Sequence, residues 1–315
     1  MSQLRTADVG VGVDPSLWLE LTPNCNLSCA FCYNPWRPGG KGGFPASRAF
    51  DEIRIDVSRL RQFAQFRYVS LSGGEPLLYR HLVDLTKWLA GQGERTILTT
   101  NGRLLSQQRL DDLVGSGLNG LQVSVLGSRE ATHDSLAGRS SWRQALEALA
   151  RGRMSGLAVA ATFIATARNL WEMPEVVELV ASLGIETLVV NEVQLVGSAA
   201  VNAGAVAIDA SAYQEAVQMT EAAGQRLGVV IRPVRGGSAV LVGERKWAWD
   251  RWSLSPDGRL KLCNHSSRDL GAVSALPPTT VSLLRRLSEG HFDEAVLEQV
   301  DNCACMRRAV SSSGV

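Results

Sequence analysis

Three cysteines lie close together near the start of the chain, in the stretch TPNCNLSCAFCYNP at residues 22–35. They are Cys25, Cys29 and Cys32, and the next cysteine in the sequence is Cys263. Thiolates bind zinc and iron–sulfur clusters, but both kinds of centre usually take four protein ligands. No histidine lies near the triplet. The spacing therefore predicts a metal centre with one position left for another ligand.

An iron–sulfur cluster suits this triplet better than zinc does. Structural zinc sites are closed by four ligands, usually arranged as two close pairs. Buried structural thiols are a simpler alternative, but three thiols in a loop rich in proline and asparagine are unusual. Thiolates are the normal ligands of iron–sulfur clusters. Three of them on a four-iron cluster leave one iron open, and an open iron is a reactive site.

Composition excludes several other classes of function. The 315 residues are 45% hydrophobic and 20% charged, with a formal net charge of +1, which is typical of a soluble globular protein. This charge balance indicates neither nucleic-acid nor membrane-surface binding. The sequence shows no signal peptide and no apolar run of membrane-spanning length. We therefore expect a cytoplasmic protein whose six cysteines stay reduced and serve metal binding or catalysis rather than disulfides.

The first two thirds of the chain alternate β-rich runs with amphipathic helical stretches. The predicted strands are residues 17–21, 68–72, 96–100, 121–125, 158–165 and 187–191. Strand–helix units in series predict an α/β fold with a parallel sheet, either open or curled into a barrel. Ligands of such folds bind at the carboxyl ends of the strands, and the cysteine triplet directly follows the first strand.

The pattern changes near residue 200, where a stretch of small residues predicts a linker. Beyond it we predict a helix at 211–226 and a hairpin around residues 256–258, in RWSLSPDGRLKLCN. The sequence therefore predicts a lead-in at 1–15, a main domain at 16–205 and a small C-terminal α+β extension at 206–315.

The CxxxCxxC spacing, with Phe31 before the last cysteine, resembles the signature of the radical S-adenosylmethionine (SAM) superfamily. This resemblance implies a partial (β/α)6 parallel barrel and a 4Fe–4S cluster held by Cys25, Cys29 and Cys32. In the family, the open iron binds the amino and carboxylate groups of SAM. The reduced cluster cleaves SAM to methionine and a 5′-deoxyadenosyl radical, which removes a hydrogen atom from a C–H bond of the substrate.

Further segments are similar to the family in the same order along the chain. LSGGEP follows the second strand, and the family's GGE motif holds the amino group of SAM, which implies cofactor contacts at Gly73, Gly74 and Glu75. Ser124 matches a polar position that often contacts SAM. Phe31 is a further residue that the resemblance implies to contact the cofactor. TTNG at 99–102, HDSLAGRSSW at 133–142 and the segment at 165–184 also follow the family's spacing. One departure is Leu126, which stands where the family often has an acidic residue.

The later cysteines predict a second centre. SPDGRLKLCNHSSRDLGAV resembles the C-terminal SPASM and twitch extensions, which hold auxiliary iron–sulfur clusters. The later cysteines of this chain are Cys263, Cys303 and Cys305, and they can support one auxiliary cluster at most. An open iron, the substrate or a further side chain would complete it, the candidate side chains being Asn264, His265 and Asp301. Two alternatives stay open: Cys263 is the hydrogen donor of a radical epimerase, or the three are ordinary core and tail thiols.

Two other groups of residues are conspicuous. Alternating tryptophans on a strand more often cover a core face than bind substrate; here they are Trp247, Trp249 and Trp252. Glu20 lies in the first predicted strand and Glu192 directly after the sixth, where a carboxylate either binds a polar substrate or is paired internally.

The resemblance implies a substrate class as well. Relatives with such extensions mostly modify ribosomally made peptides, by cross-linking, oxidation or epimerisation, and we expect a peptide here. The first strand begins by residue 17, so we expect no fused leader-recognition domain. The alternative is a dehydrogenase or epimerase of a sugar or aminocyclitol, and a remote one is a non-catalytic iron–sulfur or zinc protein. The expected partners are the substrate and a reductant such as flavodoxin or ferredoxin, without nucleic acid or membrane.

Overall fold

The computed structural model describes residues 14–34, 47–234, 239–242, 245–248, 251–262 and 269–288. The strands in these ranges are β1 Ser16–Glu20, β2 Val69–Ser72, β3 Thr96–Thr100, β4 Gly120–Ser124, β5 Ala158–Ala165, β6 Thr187–Glu192, β7 Val230–Val234, β8 Ala239–Val242, β9 Arg245–Ala248, β10 Arg251–Leu254 and β11 Leu260–Lys261. The α-helices are α1 Phe50–Leu60, α2 Leu82–Gly91, α3 Gln107–Gly115, α4 Glu130–Ala137, α5 Trp142–Met154, α6 Met173–Ser182, α7 Ser198–Val201, α8 Ala203–Val206, α9 Ala210–Leu227 and α10 Pro278–Ser288. No helix within these ranges is long and apolar enough to cross a lipid bilayer.

Nine of the strands form one sheet, in the order β11-β10-β1-β2-β3-β4-β5-β6-β7. Neighbouring strands from β10 to β7 pair in parallel, and only β11 runs antiparallel to its neighbour β10. Strands β8 and β9 form a separate antiparallel pair. The α/β prediction and the partial parallel barrel are confirmed, and the sheet ends at β11 and β7 without closing. The six predicted core strands match β1 to β6 closely.

The two faces of the sheet differ in polarity because side chains alternate along each strand. One face is buried against the helices and is apolar, with Leu17, Leu19, Val69, Leu71, Leu98, Val123, Phe163 and Val190 in the main core cluster. The opposite face carries polar residues that the strand registers place side by side, among them Glu20, Ser70, Ser72, Thr99, Gln122, Ser124, Thr162 and Asn191. If this face were only packed by its own side chains, as in the interior of a closed barrel, those side chains would be branched and apolar. This polar face is therefore suited to a ligand.

The predicted hairpin is confirmed as β10 and β11, which flank a turn at Ser255–Gly258. Gly258 has a φ of +78°, a left-handed conformation that favours glycine. Trp252, on β10, is 1% exposed and packs edge-on against Phe66 with ring centroids 5.9 Å apart. The expectation that tryptophan covers the core is thus confirmed for Trp252, whereas the side chains of Trp247 and Trp249 lie outside the described residues.

The predicted linker near residue 200 contains two helices, α7 and α8, each four residues long. Alanine is frequent there and is the residue with the highest helix propensity. Downstream, α9 packs against α6, and β7 pairs with β6. The later strands β7 and β10 thus continue the sheet on both sides of β1 to β6, and the division into domains at residue 205 stays a prediction.

We predict that Trp252→Ala lowers the free energy of unfolding by about 3–5 kcal/mol, because it removes a fully buried aromatic side chain at the β10–β1 junction. Trp171→Ala is the matched control, since Trp171 is 54% exposed and its loss should cost under about 1 kcal/mol. Denaturant unfolding followed by circular dichroism measures both. Equal losses would contradict the packing of β10 into the sheet.

Candidate functional site

The three cysteines lie on one loop, residues 22–34, which follows β1 and is called the cysteine loop below. Cys25, Cys29 and Cys32 are thiols rather than disulfides, and each is partly exposed. The loop starts at the carboxyl end of β1, the edge of a parallel sheet at which ligands bind. The structure therefore places all three thiols where the sequence predicts them, within reach of a ligand from solvent.

The beginning of the loop is held by the segment after β2. Gly74 N–H donates to the carbonyl of Thr22 at 2.7 Å, and Glu75 N–H donates to that of Asn24 at 2.8 Å. A Cβ on Gly74 would lie 2.2 Å from the Asn24 oxygen, and Gly73 has a φ of +129°. The family resemblance implies that these glycines contact a cofactor. In the structure, the cysteine loop itself approaches them.

The Glu75 carboxylate joins the ends of β2 and β3 beneath the loop. It is 1% exposed. Its Oε1 accepts from Thr100 Oγ1 at 2.6 Å and from Leu77 N–H at 3.1 Å, and its Oε2 accepts from Asn101 N–H at 2.9 Å. Burial raises the pKa of this carboxyl, and the three hydrogen bonds and Arg109 oppose the rise. Glu75 is therefore part of the scaffold that supports the loop.

The middle of the loop is bound to the end of α4. Ser28 N–H and Ala30 N–H donate to the carbonyls of Ala137 and Leu136 at 2.9 and 3.0 Å. These carbonyls belong to the last turn of the helix, where no intrahelical donor remains. Gly138 follows with a φ of +70°, and a Cβ there would lie 2.8 Å from the Ser28 oxygen. This contact gives the segment HDSLAGRSSW a structural role.

The end of the loop is bound by the segment predicted to be a linker. Ser198 N–H donates to the carbonyl of Cys32 at 2.8 Å, and Asn202 Nδ2 donates to that of Ala30 at 2.9 Å. A Cβ on Gly197, whose φ is +58°, would lie 2.7 Å from the Cys32 oxygen. Sequence reasoning missed these contacts, and the one local signal was the glycine before a short alanine-rich helix.

A small apolar cluster packs against the loop. It consists of Leu27, Leu126, Leu136 and Ala137, with Cys25, Cys29, Phe31 and Ile164 packed around it. Leu126 is 2% exposed, so the residue that departs from the family pattern is buried beside the cysteines. The Asn169 side chain donates to the Leu126 carbonyl at 2.9 Å. An acidic side chain at this position would be buried in apolar surroundings, which is costly.

His133 fixes the backbone on the other side of Leu126. Its Nδ1 accepts from Leu126 N–H at 3.1 Å, and its Nε2 lies 3.1 Å from Ser141 Oγ. Burial lowers the pKa of His133 to about 4. The imidazole is therefore neutral near pH 7 and donates through Nε2 to Ser141.

Glu20 and Ser124 lie on the polar face of the sheet, at the carboxyl ends of β1 and β4. Tyr33 Oη donates to Glu20 Oε1 at 3.0 Å, which connects this carboxyl to the end of the cysteine loop. Burial raises the pKa of Glu20 to about 7, opposed by the nearby Lys261 and by Tyr33. Ser124 is aligned with Thr162 of β5 and is partly exposed. Glu20 is 7% exposed, and Ser124 is the more accessible of the two side chains.

The donor set of the loop fits a thiolate-bound cluster. Among the described residues, no three side chains of Cys, His, Asp or Glu converge enough to hold one metal ion. In a four-iron cluster each thiolate binds a different iron, so the ligands do not meet at one point. Asn26 Nδ2 is a buried donor with no acceptor in the part of the chain that the structure describes. A sulfur-rich group beside the loop would supply one.

Most of the remaining predicted residues fall in the part of the chain that the structure does not describe. Cys263, Cys303 and Cys305 lie outside the described residues, as do Asn264, His265 and Asp301. The auxiliary cluster and the hydrogen-donor role of Cys263 therefore stay predictions. Glu192 is described, at the end of β6, and is partly exposed.

Comparison with known proteins gives one family. The model described as "Radical SAM superfamily" matches residues 19–180. The PqqA peptide cyclase of Bradyrhizobium diazoefficiens is 30% identical over 277 residues, which cover 83% of this chain and 69% of that protein. The PqqA peptide cyclase of Rhodopseudomonas palustris is 31% identical over 259 residues, which cover 80% and 68%.

Solved structures share the fold. Streptococcus suis SuiB bound to S-adenosylmethionine aligns with a TM-score of 0.70 at 13% identity, over 92% of this chain and 68% of that one. The anSMEcpe protein with bound AdoMet aligns with a TM-score of 0.65 at 12% identity, over 94% and 95%. At these identities the likeness concerns the fold alone.

We predict that Gly74→Ala lowers the free energy of unfolding by about 1–3 kcal/mol, since its Cβ would overlap the Asn24 carbonyl and displace the cysteine loop. Gly91→Ala is the control, because a Cβ there meets nothing within 4 Å; in helix α2 it should be neutral or stabilising. Denaturant unfolding compares the two. A Gly74→Ala variant as stable as Gly91→Ala would rule out the close approach.

Glu20→Gln should change how stability depends on pH. A carboxyl whose pKa is raised by folding stabilises the folded state fully below its ordinary pKa near 4.5, and that contribution is lost as pH rises through about 7. Wild type should therefore lose up to about 3 kcal/mol relative to Glu20→Gln between pH 5 and pH 8. Unfolding at both pH values measures it. Parallel profiles would contradict the burial of an ionisable Glu20.

Proposed function

The chain belongs to the radical SAM superfamily, and from this premise we propose that Cys25, Cys29 and Cys32 hold a 4Fe–4S cluster with SAM bound beside it. The observation that carries the proposal is the cysteine loop, whose three partly exposed thiols are held at the carboxyl edge of a parallel sheet. When bound, the reduced cluster supplies the one-electron cleavage of SAM that yields methionine and a 5′-deoxyadenosyl radical.

The protein's own residues bind and orient in this proposal. Gly73, Gly74 and Glu75 fix the start of the cysteine loop, and their backbone is the proposed contact for the SAM amino group. Phe31 packs against both the main core and the small apolar cluster that contains Leu126, and Ser124 lies on the polar face of the sheet. The polar face would bind the rest of SAM and the substrate.

We propose a ribosomally made peptide as the substrate, with cross-linking, oxidation or epimerisation as the reaction. Support comes from the relatives called PqqA peptide cyclase, which align with most of this chain. SuiB, whose fold is similar with a TM-score of 0.69, is also known bound to the precursor peptide SuiA. A one-electron donor such as flavodoxin or ferredoxin would reduce the cluster, in the reducing cytoplasm predicted from the sequence.

Cys29→Ala should abolish SAM cleavage, because two thiolates do not assemble the cluster normally. The assay is 5′-deoxyadenosine release by anaerobically reconstituted protein with SAM and dithionite. Wild type should release it, and Cys29→Ala should fall to the background without protein.

Ser28→Ala is the matched control, since it changes the neighbouring exposed side chain of the same loop and should keep wild-type release. Release by Cys29→Ala at the wild-type rate would overturn the assignment of the ligands. No release by wild type with a full cluster would overturn the proposed chemistry.

A further inference from the structure

Asn101 is the residue directly after β3, and its backbone is held in place from two directions. Asn101 N–H donates to Oε2 of the buried Glu75 at 2.9 Å. The next residue, Gly102, turns the chain with a φ of +75°, and a Cβ there would lie 2.9 Å from that of Ala148 and 3.0 Å from Val123 Cγ1. Asn101 therefore projects its side chain from a rigid position at the carboxyl edge of the sheet.

The orientation of the Asn101 amide follows from one of its contacts. Its Oδ1 accepts from Arg103 N–H at 2.9 Å, and a backbone N–H can only donate. The amide nitrogen, with its two hydrogens, must then point the other way. The cysteine loop lies on the side to which this nitrogen points.

The Asn101 amide nitrogen meets two groups of the loop. Nδ2 lies 2.7 Å from Asn26 Oδ1 and 3.9 Å from Cys25 Sγ. The Cys25 thiol also lies 3.9 Å from the same Asn26 oxygen, to which it can donate. A thiolate has no proton to donate, so a ligating Cys25 would only accept. The second hydrogen of Asn101 Nδ2 is then a side-chain donor next to its sulfur.

We propose that Asn101 is a positioning residue that donates a hydrogen bond to the Cys25 thiolate and thereby raises the reduction potential of the cluster. This inference rests on the proposed function. Reduction adds one electron to the cluster and increases negative charge on its sulfur ligands. A donor to such a sulfur stabilises the reduced form more than the oxidised form, and hydrogen bonds to the ligands are among the factors that set cluster potentials.

Two substitutions separate the donor from its surroundings. Asn101→Asp keeps the shape and the acceptor for Arg103 N–H but replaces the donor by a carboxylate oxygen, whereas Asn101→Ala removes the donor without adding charge. Asn202→Ala is the matched control, because Asn202 also donates an amide hydrogen bond to the cysteine loop, but to the Ala30 carbonyl rather than to a sulfur.

The measurement is a redox titration of the full chain after anaerobic reconstitution, with dithionite as reductant and electron paramagnetic resonance as readout. The signal to follow is the one that changes when SAM is added, which separates this cluster from an auxiliary one. We expect the equilibrium constant for reduction of the cluster to be about tenfold lower in both Asn101 variants than in wild type. This corresponds to a reduction potential about 59 mV lower for a one-electron step. Asn202→Ala should match wild type.

Asn101→Ala decides the proposal, because its potential is read from whatever fraction of protein carries the cluster. A wild-type potential in Asn101→Ala would overturn the donor role, and a shift in Asn101→Asp alone would be an effect of charge and would overturn it too. An equal shift in Asn202→Ala would show a general disturbance of the loop, which also contradicts the proposal. Wild type that assembles no SAM-responsive cluster would instead overturn the proposed function.

Discussion

The site depends on the close approach of two backbone segments, the start of the cysteine loop and the two glycines after β2. The Gly74 and Glu75 N–H groups donate hydrogen bonds to the carbonyls of Thr22 and Asn24, and any side chain on Gly74 would collide with the loop. The buried Glu75 carboxylate also accepts hydrogen bonds from Thr100 and Asn101, at the end of β3. The loop of 13 residues with its three thiols thus starts from a fixed point, since its first residues cannot move away from the sheet edge without breaking these two backbone hydrogen bonds.

The other contacts of the loop have the same physical character. Carbonyls at the end of α4 and donors at the start of α7 bind backbone groups of the loop, and an apolar cluster that includes Leu126 packs below Cys25 and Cys29. One side of the thiols is therefore apolar and fixed. The polar face of the sheet ends at the same edge, and burial raises the pKa of the Glu20 carboxyl on that face to about 7. Such a division suits a cluster that is held by the protein and a substrate that enters from solvent.

Most of the fold could be predicted from the sequence, because each of the six core strands is a short apolar run followed by an amphipathic helix. The position of the thiols followed as well, since CxxxCxxC stands directly after the first run. The supports of the loop could not be predicted. Apart from the glycines after β2, they come from residues more than 100 positions away, such as Ser198 and Asn202 in a stretch without periodicity. The role of Glu75 was likewise hidden, because its partner Asn101 is near only in the folded chain.

The central claim is that the cysteine loop holds a four-iron cluster. The most direct test is an iron count after anaerobic reconstitution, comparing wild type with the variant in which Cys25, Cys29 and Cys32 are all alanine. The account predicts that the variant binds about four fewer irons per chain than wild type. About four irons left in the variant would additionally establish an auxiliary cluster with Cys263 as its candidate ligand. Equal iron in the two proteins would contradict the account.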